Sequence, residues 1–257
     1  MIEHTSNGLR YFTFNSFPDG DLVHAVFARE GGVSPHPYES LNLSISTGDS
    51  MDNARANRRR AYEAVGLPFE SMADVWQIHS ADTVRFDAPR PDREVKADGL
   101  ITDRAGVSLF QRFADCVPIL FYDPKHRALG MAHSGWRGTV NRAAASPVKA
   151  MAEAYGTRPA DLMVGIGPAI GPDHYEVGPE VIAAARSAFP EADGLLIERE
   201  GKTHFDLWAA NEHVLREAGV EQIEIAGMCT ACHTDLFFSH RAEGGQTGRF
   251  GAVIALR

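Results

Sequence analysis

The chain has 257 residues, enough for one large domain with room for subdomains. Its 44% hydrophobic and 23% charged residues exclude wholesale disorder, and no apolar run approaches the roughly 20 residues of a membrane-spanning helix. A formal net charge of -9 is the wrong sign for gripping a nucleic-acid backbone, which leaves open only a local basic pocket for one small anion.

In chain order, Tyr11–Phe14 and Leu22–Phe27 read as strands around the turn signal Pro18-Asp19-Gly20. Gly31 to Asp49 reads as a long, function-prone loop, and Asp52–Val65 as a helix ended by Gly66 and Pro68. Five apolar strands are expected at Asp74–His79, Val84–Phe86, Val107–Phe113, Val117–Tyr122 and Ala128–His133, several of them buried on both faces. A helical period then runs from Val140 to Tyr155. Ser146-Pro147 either kinks it or starts it afresh, with Ser146 as N-cap. Gly165-Ile166-Gly167-Pro168 reads as a turn, since the third glycine of a dinucleotide loop is missing. Helices are expected from Gly178-Pro179 to Pro190 and from Asp206 to Gly219, and late strands at Ile223–Ala226 and Ala252–Leu256. No repeat or linker divides the chain. The irregular interleaving predicts one α/β (α+β) domain, residues 1–257, with a mixed β-sheet flanked by helices.

The chemistry concentrates on His79, Cys116 and His133, each at the end of an expected strand among small or polar neighbours. Two imidazoles and a thiolate make a zinc ligand set with one open position, although three residues so far apart in sequence are equally compatible with a buried thiol and two core histidines. Cys116 and His133 alone would also serve as nucleophile and base. Asp115, next to Cys116, is a candidate support for a ligand histidine or a proton shuttle, and Gln77 a candidate contact to a substrate edge. Trp136 is expected in the core rather than stacked on a ligand. Cys229-Thr230-Ala231-Cys232-His233 matches a haem-attachment pattern. Met1-Ile2-Glu3-His4 carries no export signal, so a cytoplasmic protein is expected and haem is not. The motif also lacks the His-x-Glu of cytidine deaminases, which leaves buried thiols or a second soft-metal site with His233.

The motifs Gly31-Gly32-Val33-Ser34, Gln77-Ile78-His79, Ala97-Asp98-Gly99, Ala114-Asp115-Cys116-Val117-Pro118, His133-Ser134-Gly135-Trp136-Arg137-Gly138, Tyr175-Glu176-Val177-Gly178, Phe237-Phe238-Ser239 and Thr247-Gly248-Arg249 resemble, in order and over nearly the whole chain, the bacterial YfiH family. Its members are also called laccase-domain or polyphenol oxidase proteins, and purine nucleoside phosphorylase/adenosine deaminase. The resemblance implies a zinc site at His79, Cys116 and His133, and phosphorolysis of adenosine, inosine or methylthioadenosine together with deamination of adenosine. Asn42, Arg58 and Arg137 lie in family-like motifs and are the candidates for holding phosphate or ribose, with Arg58 counted among the catalytic residues and Arg241 as a further substrate contact. Two departures stand out: Ser134 replaces the usual Ala, and His240-Arg241-Ala242 replaces Tyr-Arg-Arg. Competing readings are a copper-dependent phenol oxidase, a Cys116–His133 hydrolase editing cell-wall precursors, and a metal-dependent binding module without catalysis. Copper oxidation ordinarily asks for more histidines than these. The partners expected are a purine nucleoside and phosphate, with no nucleic acid and no membrane.

Overall fold

The computed structural model describes residues 1–190 and 194–257. Its strands are β1 Ile2–Ser6, β2 Leu9–Thr13, β3 Leu22–Phe27, β4 Met72–Ala73, β5 Thr83–Arg85, β6 Gly99–Thr102, β7 Ser108–Phe113, β8 Val117–Asp123, β9 Ala128–Ser134, β10 Met163–Ile166, β11 Leu196–Arg199, β12 Lys202–Phe205, β13 Gln222–Ile225 and β14 Phe250–Leu256. The helices are α1 Met51–Ala64, α2 Trp136–Val140, α3 Ala145–Tyr155, α4 Pro179–Ala188 and α5 Leu207–Glu217.

The expected α/β class holds, but the strands divide between two mixed six-stranded sheets, β1-β2-β3-β14-β7-β4 and β13-β10-β8-β9-β6-β5, with β11-β12 as a separate hairpin. Strand periodicity explains the layering. In β14, Phe250, Ala252, Ile254 and Leu256 point into the core between the sheets, where they meet Leu120 and Tyr122 of β8 and Leu129 and Met131 of β9. Val253 and Ala255 point the other way, onto Ala61 and Tyr62 of α1. On the far side of the second sheet, Ile119 and Phe121 of β8 pack with Val148 and Met151 of α3 and Val214 of α5. The order is therefore helix, sheet, sheet, helices. Each such apolar side chain contributes roughly 1.5–3 kcal/mol on burial.

Helix boundaries follow the caps. Ser50 accepts the Asp52 N–H to start α1, and Asp206 accepts the Ala209 N–H to start α5. After α2 the chain turns and α3 begins afresh, as one of the two expectations had it, but Ser146 is no N-cap. Ala144 holds that position, and the Ser146 hydroxyl pairs with Thr83 Oγ1 at 2.7 Å.

Two expectations fail. Asp74–His79 is not a strand; only Met72–Ala73 pairs with β7, and the segment then turns into irregular backbone ending at His79 with φ 62°. Gly165-Ile166 is not a turn but part of β10, where glycine is required because a Cβ would stand 2.5 Å from the Phe14 ring. The strands β6 and β10, four residues each, carry too little sequence pattern to have been read. Among the described residues no helix is long and apolar enough to cross a membrane.

Candidate active site

Antiparallel pairing of β8 with β9 sets Pro118 opposite His133, so Cys116, just before β8, and His133, near the end of β9, emerge at the same edge of the sheet. His79 reaches that edge from the irregular segment after β4. The three ligand atoms lie within 4.8 Å of one another, and Cys116 Sγ is 3.9 Å from His79 Nε2. His133 is buried, Cys116 half-buried and His79 exposed, so the group faces solvent on one side.

Asp98, just before β6, organises both histidines. Its Oδ1 lies 2.8 Å from His133 Nδ1, which leaves Nε2 turned to the group. Its Oδ2 accepts the backbone N–H of Ile78 and of Ser80 and so fixes the turn that presents His79. Backbone space is kept clear as well: a Cβ on Gly135 would stand 2.8 Å from Cys116 Sγ and 3.2 Å from His79 Cδ2. Burial alone would raise the Cys116 thiol, but the neighbouring His133 and His79 outweigh it and bring the thiol down to about 6. Burial opposes charge on His133 too, and there Cys116 and Asp98 prevail and lift the imidazole to about 9. Without a metal the two form a thiolate–imidazolium pair. Two imidazoles, one thiolate, an oriented tautomer and an open side fit a single transition-metal ion with one exchangeable position.

The group lines a cleft of about 440 Å³ that arginines line as well. Here the sequence expectations need correction. Arg58 does not reach the cleft: it is 4% exposed, donates to the Leu43 carbonyl and pairs with Asp74 at 3.2 Å. Burial lowers it to about 10, still charged at neutral pH. Asn42 is fully buried and spends its amide on Ser44 O, Thr47 Oγ1 and Asp49 Oδ2, while its Oδ1 accepts from Ser44 N and Arg249 N. It shapes a loop. Arg137 lies over the Trp136 ring at the surface and leans towards Glu180 at 3.7 Å, outside the cleft lining.

Arg93, Arg112 and Arg249 line the cleft instead. Arg58, Arg93 and Arg112 all turn to the single buried carboxylate of Asp74, so positive charge is in excess there. Among the described residues, Arg58 Nη2 and Arg93 Nε make no hydrogen bond, Arg93 Nε standing 3.9 Å from Asp74. One sequence signal pointed this way: Gln111-Arg112 sits inside an apolar strand, and a buried charge needs a partner. Arg249 lies in the Thr247-Gly248-Arg249 motif, which said nothing of its place in the cleft, and nothing in the sequence distinguished Arg93 from surface arginines.

Gln77 does line the cleft, but its amide brackets Arg112, donating to the Arg112 carbonyl and accepting from its backbone N–H and Nη2. Asp115, with φ 83°, does not hold a ligand histidine; Asp98 does. Asp115 lines the cleft and accepts from Thr230 Oγ1, Ser239 Oγ and the Arg241 backbone N–H, so it anchors the cleft floor. Arg241 lines the rim as expected, over the Tyr175 ring, with Nη1 on the Glu176 carbonyl. Trp136 packs partly against the core and partly lines the cleft. Ser134 has its own partners, Asn211 Oδ1 at 2.8 Å and Thr139 Oγ1 at 3.0 Å, which accounts for a hydroxyl where Ala is usual.

Comparison with known proteins shows the family. Residues 23–257 match the family model described as multi-copper polyphenol oxidoreductase laccase. A Deinococcus radiodurans protein named purine nucleoside phosphorylase is 39% identical over 242 residues, covering 93% of this chain and 91% of that protein. Escherichia coli YfiH, also named a purine nucleoside phosphorylase, is 33% identical over 230 residues, covering 89% and 91%. The crystal structure of YlmD from Geobacillus stearothermophilus matches with a TM-score of 0.92 at 36% identity, over 99% of this chain and 98% of that one. The chain belongs to the YfiH, or laccase-domain, family.

Proposed function

We propose that this chain is a zinc-dependent purine nucleoside phosphorylase that also deaminates adenosine at the same cleft. The observation that carries the reading is that one cleft joins a metal-type ligand group to a surplus of arginine charge. Phosphorolysis needs both an anion site and stabilisation of the charge that develops on the leaving purine. In the reaction a phosphate oxygen bonds to the ribose C1′, the C1′–N bond breaks, and its electron pair leaves with the base.

Arg93 and Arg249 bring guanidinium charge to the cleft for phosphate, while Arg112, locked by Asp74 and Gln77, sets the local charge. Tyr175 and Trp136 offer aromatic faces to orient the base. Burial holds the Tyr175 hydroxyl well above its usual range, so it stays protonated and can donate a hydrogen bond. Bound at His79, Cys116 and His133, zinc would supply a Lewis acid and activate water near neutral pH.

The test is release of base from adenosine or inosine with and without inorganic phosphate, before and after metal removal. Phosphate-dependent formation of ribose 1-phosphate that disappears with the metal is expected; turnover indifferent to both would sink the proposal. Ammonia release from adenosine tests the deaminase half separately. A second reading, a Cys116 hydrolase, draws on the thiolate–imidazolium pair. Iodoacetamide separates the two, because a metal-bound thiolate is protected in the loaded protein and a free nucleophile is labelled. The cleft group offers only two imidazoles, a poor basis for multi-copper oxidation.

A further inference from the structure

His174, Cys229 and Cys232 bring one imidazole and two thiols within 4.8 Å of one another, outside the cleft lining. His174 Nδ1 lies 3.8 Å from Cys229 Sγ and 3.5 Å from Cys232 Sγ. Tetrahedral zinc, with bonds of about 2.3 Å to sulfur and about 2.0 Å to nitrogen, holds its nitrogen and sulfur ligands about 3.5 Å apart. The donors are thus already spaced as corners of one coordination shell. His233, the partner expected from the sequence, is not in the group; its backbone N–H goes to the Cys229 carbonyl.

The backbone prepares the sulfur. Cys229 Sγ accepts the Gly171 N–H at 3.2 Å, which fixes the direction of the sulfur. A Cβ on Gly171 would stand 3.1 Å from Cys229 Cβ, so the close approach depends on glycine there. A parallel bridge between Ala169 and Cys229, with Thr230 N–H on the Ala169 carbonyl at 3.0 Å, holds the two segments side by side.

We propose that His174, Cys229 and Cys232 form a second binding site for a thiolate-seeking divalent transition-metal ion of the zinc class. An ion there pins the segment carrying His174 to the Cys-x-x-Cys turn. Thr230, inside that turn, donates to Asp115 Oδ1 at 2.6 Å, and the Ile170 N–H donates to the Asp115 carbonyl at 3.0 Å. Asp115 precedes Cys116, and Tyr175 of the cleft follows His174. The site's role is accordingly to position the cleft floor rather than to touch substrate. It stands whatever reaction the cleft performs.

Cobalt(II) titration of the reduced full-length protein tests it, with zinc as competitor. Two equivalents are expected for the wild type. The second carries thiolate-to-metal charge-transfer intensity for two sulfurs, against one for the cleft. Cys232→Ser and His174→Ala, both at exposed positions, each lose one equivalent and keep the one-sulfur spectrum; His133→Ala loses the other and keeps the two-sulfur spectrum. A wild-type titration without the two-sulfur spectrum, a two-sulfur spectrum surviving in Cys232→Ser, or a Cys229–Cys232 disulfide persisting in reductant would each overturn the proposal.

Discussion

His24 and His133 are both buried imidazoles on strands, 8% and 5% exposed, yet their neighbours give them opposite chemistry. His133 faces Asp98 and Cys116 and is lifted to about 9. His24 is packed between Phe14 and Phe17, accepts the Phe14 N–H at 2.8 Å, and is driven by burial down to about 4. One ring is prepared to bind and exchange charge, the other to remain neutral. A strand histidine in a sequence carries no sign of which it is, because the deciding carboxylate or amide arrives from another part of the chain.

Removing each ring should therefore damage different things. His133→Ala deletes a ligand from a site with only three, and turnover should fall by about a thousandfold or more, since a Lewis acid contributes several kcal/mol to such a transition state. Metal content at the cleft falls with it, while the circular dichroism spectrum is retained. Full activity in the variant, with metal bound, would break the contrast.

The aspartates that serve these rings and the arginines repeat the contrast. Asp74 lies under three arginines and is fully buried, so Asp74→Asn strands buried positive charge and should cost about 3–5 kcal/mol in denaturant unfolding. A loss under 1 kcal/mol would mean that the arginines find other partners and that the cleft's charge surplus is less fixed than described.

For His24 the pH sign is definite. Its native value is depressed from 6.5 to about 4, so the unfolded chain binds the proton more readily. Its contribution is complete above pH 6.5 and is lost as pH falls from there towards 4, about 3 kcal/mol in all. His24→Gln keeps a side-chain acceptor but cannot titrate there. Urea unfolding at pH 7.5 and 4.5 should show a smaller acid-side loss in the variant; identical losses would remove the assigned cause.

Much of the fold was legible where a pattern filled a whole element. The apolar run of β14, the cap residue Asp206, and the proline and glycine that bound α4 and α5 are local signals, and all coincide with the structure. Cys116 and His133 were legible from small neighbours at strand ends, and the group as a whole because its motifs resemble a known family; His79, expected on a strand, arrives from irregular backbone instead. The arginine side was not. Arg58-Arg59-Arg60 contains one inward residue and two exposed ones, and only the orientation of α1 on its sheet decides that Arg58 is turned inward, to Asp74 rather than to the cleft. His174 was equally hidden, since it meets the Cys-x-x-Cys turn only through the fold.

Asp98 itself gives the finest test of what separates the two histidines. It contributes no ligand atom to the cleft group, yet it holds the His133 tautomer and the turn carrying His79. Asp98→Asn keeps size and hydrogen-bonding capacity but removes the charge that raises His133. Such substitutions behind a ligand histidine typically cost about 10–100-fold in metal affinity. Competition with a chromogenic chelator should find a loss in that range, with the stoichiometry at the cleft unchanged at saturating metal. If affinity is untouched, the ring is oriented by the strand alone, and His133 differs from His24 only in facing a cleft.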